Sequence, residues 1–137
     1  MPKVGHPRRR ELKARVQDMG RIVFEAKDDG RRAGLVRSLC PCEYIWTMPL
    51  WDIIFAACKD PSPQVRIQAL HVIEDAYTSG MPDVRGIKLI FEARQDPDAE
   101  VRSFAKDVIR VLPKLRAIRS ADRKRRLNRA REQNGLE

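Results

Sequence analysis

Slid against itself by 36 residues, the chain matches its own sequence. Residues 53–73 align without gaps onto residues 89–109, and ten of the 21 positions are identical. The identities are Ile54/Ile90, Phe55/Phe91, Ala57/Ala93, Asp60/Asp96, Pro61/Pro97, Val65/Val101, Arg66/Arg102, Ala69/Ala105, Val72/Val108 and Ile73/Ile109. Unrelated segments of this length would share about one or two, so a structural unit is present twice. No other feature restricts the fold as much. A unit of this size has room for two short helices and their turns, and it cannot bury its apolar face alone.

The residues within each copy assign those elements. Thr47 and Asp83, again 36 apart, stand where a first helix needs a side-chain acceptor at its N-terminus. Those helices are expected to run to about Lys59 and Gln95. The Asp-Pro steps at 60–61 and 96–97 then end them, because a residue before proline avoids the helical region. Ser62 and Asp98 are placed to cap a second helix, and Pro63 falls at a first helical position, where its missing N–H costs nothing. Beyond them Val65, Ala69, Val72, Ile73 and Ala76 recur at helical spacing, as do Val101, Ala105, Val108, Ile109 and Leu112.

The twice-occurring pattern D-P-x-x-x-V-R-x-x-A, with the region 47–113 around it, resembles HEAT repeats. That resemblance implies an all-α fold, an α-solenoid of helical hairpins. It also implies that Asp60, Arg66, Asp96 and Arg102 form hydrogen-bonded ladders between neighbouring hairpins, a structural role. Ahead of the two clear copies, Leu12, Val16, Met19, Val23 and Ala26 lie on one helical face before Asp28-Asp29-Gly30, and Ala33, Val36 and Leu39 mark a second helix over 31–39. This reads as a degenerate first hairpin, as terminal repeats tend to be. Residues 40–46 form an irregular insertion containing a Cys-Pro-Cys step, which resembles that of a bacterial group of small HEAT-repeat proteins. The expected organisation is a basic arm at 1–7, about three HEAT-like hairpins over 8–113, and an arginine-rich tail, helix or extension, at 114–137.

Charge separates these regions. The whole chain carries +9, yet residues 16–113 sum to −2, residues 1–15 to +5 and residues 114–131 to +8. A nearly neutral body with two cationic ends suggests a polyanionic partner, since Lys and Arg that neutralise phosphates release condensed counterions. The candidate contacts are Arg8, Arg9 and Arg10 at one end, and Lys114, Arg116, Arg119, Arg123, Lys124, Arg125, Arg126, Arg129 and Arg131 at the other. In the tail Arg outnumbers Lys seven to two, which favours forked phosphate recognition over point charges. Leu115, Ile118, Ala121, Leu127 and Ala130 give the tail only a thin apolar stripe, and it has no aromatic residue for stacking bases. RNA is ranked ahead of DNA, and an acidic protein is the alternative partner, with the hairpins as an adaptor and the tail solubilising. A membrane partner is not expected: the longest apolar run, Ile53 to Cys58, is six residues and too short to span, and the tail has fewer bulky apolar residues than helices that bind anionic membrane surfaces.

The search for other chemistry yields little. Cys40, Cys42, Cys58 and His71 are the residues from which a soft-metal site would have to be assembled. Their spacing, C-x-C, then 15 residues, a Cys, 12 residues and a His, matches no common zinc finger. Ordinary thiols are the expectation, and no metal or cofactor. No glycine-rich phosphate loop and no nucleophile–base signature is present, so the chain reads as a non-enzymatic binding protein. Trp46, Trp51 and Tyr44 with Asp52 are read as filler between the first two hairpins. Three cysteines and the lack of an apolar segment after Arg8–Arg10 point to a reducing, cytoplasmic setting.

Overall fold

A computed structural model of the chain describes residues 9–39, 48–80 and 83–135, the first helix by its backbone as far as Val16. The elements are α1 (Arg9–Glu25), α2 (Asp29–Arg37), α3 (Met48–Ala57), α4 (Pro63–Thr78), α5 (Val84–Glu92), α6 (Ala99–Val111) and α7 (Pro113–Gln133), with a 3₁₀ turn at Ala93–Gln95. Among the described residues there is no strand, and the fold is all-α. The chain divides into two compact units, 1–86 and 87–137, and the division falls inside α5.

In the first unit the four helices pair as two hairpins, α1 with α2 and α3 with α4. The second helices, α2 and α4, pack side by side, and α1 lies beside α3. Val36, Leu39, Leu50, Ile54, Val65, Val72 and Ile73 are buried in this unit, the apolar positions that helical spacing selects. Trp51 is buried and stacks on Phe55 with ring centroids 5.3 Å apart. Tyr44, Trp46 and Thr47 lie outside the described residues. Asp83 caps α5 as expected, its Oδ1 accepting from the Arg85 N–H at 2.8 Å. Gly86 has little room for a side chain: a Cβ there would meet Ile73 Cγ2 at 3.0 Å and Trp51 Cζ3 at 3.5 Å.

The turns that lead into α4 and α6 are built the same way. The Asp60 Oδ1 accepts from the Ser62 N–H at 2.9 Å, and Asp96 Oδ1 accepts from the Asp98 N–H at 2.9 Å. Arg66 then donates to the Asp60 and Pro61 carbonyls at 2.8 and 3.0 Å, and Arg102 to the Asp96 and Pro97 carbonyls at 2.7 and 3.0 Å. Each arginine thus ties the start of its helix to the carbonyls left over at the turn. One expectation changes: Asp98 caps α6 through Glu100 and Val101, whereas Ser62 has N-cap dihedrals but no side-chain cap bond. At Ser62 the turn is held instead by the Asp60 carboxylate and by Pro63 at the first helical position.

The arginine contacts of this turn occur a third time. Arg32 Nη1 donates to the Ala26 and Lys27 carbonyls at 3.0 and 3.3 Å. Its Nε and Nη2 also clasp Asp60 in a two-point fork at 2.9 Å each, joining α2 to the turn before α4. The side chains are 11% and 5% exposed, so the pair is shielded from water, and Asp29 adds a second acceptor at 2.6 Å. The Arg32 guanidinium holds the Asp60 carboxyl below the ordinary carboxylate range, against the opposing effect of burial. Arg37 and Asp75 form a second ion pair between α2 and α4.

In the second unit, α6 packs against the 3₁₀ turn and against α7. Ile90, Val101, Ala105, Val108, Ile109 and Leu115 are buried there. α6 ends at Val111, Leu112 is extended (φ −82°, ψ 114°), and Pro113 opens α7.

Candidate nucleic-acid interface

The second cationic end of the chain is a helix. α7 runs 21 residues, about 32 Å at 1.5 Å per residue. The sequence accounts for this local structure: Pro113 presets the first turn, and the residues after it are dominated by Arg, Leu, Ala and Lys, which are strong helix formers. The fold holds it by one end. Leu115 is completely buried, and from Arg116 to Gly135 every residue is exposed except half-exposed Asp122. Ile118 and Leu127, two members of the expected apolar stripe, are 37% and 55% exposed, so the stripe works as a core contact only at its first position.

All nine basic side chains of α7 point into solvent. Asp122 engages two of them, Arg126 at 3.2 Å and Arg125 at 3.8 Å. For the other seven, no described carboxylate lies within 4 Å. These seven guanidinium and ammonium groups are exposed to solvent. Elsewhere in the chain Arg32, Arg37, Arg85 and Arg110 each have an acidic partner. Arg85 also lies 4.4 Å over the Phe55 ring.

At the other end, Arg8 lies outside the described residues, and Arg9 and Arg10 begin α1 with side chains that are likewise outside the description. Cys40 and Cys42 are outside it too. Cys58 is half-buried, and desolvation pushes its thiol up to about 12, disfavouring the thiolate, the form that ligates metals. His71 Nδ1 is 3.8 Å from Asp75 and 3.9 Å from Glu74. Among the described residues no three His, Cys, Asp or Glu side chains converge as a metal site requires. No helix among them is long and apolar enough to cross a membrane.

Sequence reasoning missed Arg32 as a ladder residue. The signal was available: Arg32 stands four residues after the cap Asp28, as Arg66 does after Ser62 and Arg102 after Asp98. The spacing to the next copy is 34 rather than 36 residues, and the turn aspartate is replaced by Ala26, which hid the register.

Comparison of the chain with known protein families, with curated proteins and with solved structures finds no match.

Proposed function

We propose that the protein is a non-enzymatic, RNA-associated member of the HEAT-repeat class, an α-solenoid of about three hairpins that uses its arginine-rich ends to hold phosphates. The solenoid reading is supported by the threefold recurrence of one set of arginine contacts, with Arg32, Arg66 and Arg102 each donating to the two carbonyls ahead of the second helix. The observation that carries the binding function is α7, with nine exposed cations of which seven have no described carboxylate within reach. In this reading Asp60, Arg66, Asp96 and Arg102 serve the fold, and Arg8, Arg9 and Arg10 add to the phosphate contacts of α7.

The test is RNA binding by the full chain and by a chain stopped after Ala117, which keeps the buried Leu115 anchor. Affinity for a structured RNA should fall steeply between about 50 and 200 mM salt, by two orders of magnitude or more, and the shortened chain should lose most of it. Unchanged affinity after that truncation refutes the reading. Recovery of cellular partners that survives nuclease treatment would point instead to an acidic protein docking on the same helix.

A further inference from the structure

The distribution of charge around α7 says more than its amount. At about 100° per residue, Arg116, Arg119, Arg123 and Arg126 occupy one sector, Lys114, Arg125 and Arg129 a second, and Lys124 and Arg131 a third. No sector wider than about 80° is without a cation. A flat polyanion, such as a lipid surface, can engage one side of a helix and leaves the rest to water. A helix meant for such a surface gathers its charge on that side and puts bulky apolar residues opposite, and α7 does neither.

We infer that α7 is enclosed: it inserts into a cleft of folded RNA whose two walls both present phosphates, and it contacts both. This rests on the RNA-binding reading above and goes beyond it by specifying the shape of the site. A helix with its side chains is about 10–12 Å across, whereas the major groove of continuous A-form RNA is deep and narrow. The cleft is therefore an irregular one, opened by a bulge, an internal loop or a junction. Such places also expose unstacked bases, on which arginine guanidinium planes can lie although α7 carries no aromatic ring. Recognition is by shape and phosphate geometry, with little dependence on base sequence.

The experiment compares three probes and two triple variants of the full chain. The probes are an RNA hairpin with a bulge that widens its major groove, the same stem without the bulge, and a B-DNA duplex of equal length. The variants are R116Q/R119Q/R123Q and K114Q/R125Q/R129Q, which remove three cations from different sides of an exposed helix and leave Leu115 in place. Enclosure predicts that the bulged RNA binds at least tenfold more tightly than either uninterrupted duplex. Both triples should weaken that binding by similar factors, on the order of 100-fold at 0.1 M salt, each lowering the salt slope by about 2 to 3. If one triple abolishes binding and the other leaves it intact, α7 lies on a surface, and enclosure is refuted while RNA binding stands. Equal or tighter binding of the unbulged stem or of DNA overturns the irregular-cleft assignment. Absence of binding by the unmutated chain to all three probes overturns both this inference and the proposed function.

Discussion

α6 and α7 are consecutive helices of the same unit, joined at Leu112–Pro113, and they follow opposite rules. α6 has 13 residues, of which Val101, Ala105, Val108 and Ile109 are buried; α7 has 21 and buries only Leu115. Asp98 caps α6, Glu100 lies in its first turn and Arg110 in its last, an arrangement that suits the helix dipole at both ends. α7 has no side-chain cap and no acid in its first turn, where it carries Lys114 and Arg116 instead. Every local choice in α6 favours a stable place in the fold. In α7 several choices work against the isolated helix, and such conflicts in a natural sequence point to a requirement outside the fold.

The contrast breaks most visibly under truncation of apolar side chains. Ile109→Ala empties a fully buried site and should cost about 2–5 kcal/mol, read by chemical denaturation. Leu127→Ala removes a side chain that is 55% exposed and should change stability by less than about 0.5 kcal/mol. Comparable losses at the two positions would show α7 to be a core helix and remove the main support for its binding role.

A smaller effect separates the helix starts. Asp98→Ala deletes bonds to the Glu100 and Val101 N–H groups at 2.9 and 3.1 Å and should destabilise by about 1 kcal/mol. Replacing uncapped Leu112 by Asp tests α7 in the opposite direction: its stability should rise by up to about 1 kcal/mol, seen as slower amide exchange in the first turns of α7. A loss there would show that half-buried Leu112 matters more as packing than its backbone position does as a cap site.

The sequence made the repeated hairpins legible because both of their signals are local. Asp-Pro steps stop helices, and periodic Val, Ile and Ala mark the buried face; hence the starts of α4 and α6 follow almost residue by residue. The degenerate first hairpin was legible as helices but not as a ladder partner. The Arg32–Asp60 contact joins residues 28 apart, through a turn that has lost its aspartate. The charge of α7 could be counted in the sequence, but its freedom could not. Whether Ile118 and Leu127 meet a neighbour depends on where the break at Pro113 sends the helix, a tertiary matter that no spacing encodes.

The smallest effects lie within α7 itself. Arg119/Arg123 and Arg125/Arg129 stand four apart, and Arg116/Arg119, Arg123/Arg126 and Arg126/Arg129 three apart, so like charges face each other along the helix. Each such pair costs roughly 0.2–0.5 kcal/mol at low salt, and only Asp122 offsets them within these turns. Without a ligand, amides beyond Ser120 should therefore exchange much faster than those of Val108 to Val111, although both segments are helical. Adding salt should slow them slightly by screening, and adding the bulged RNA should slow them strongly by placing phosphates between the arginines. Amides of the free helix already as protected as those of α6 would mean that the repulsion is absorbed elsewhere. The arginines would then have no need of an anionic partner, and the contrast between the two helices would lose its functional meaning.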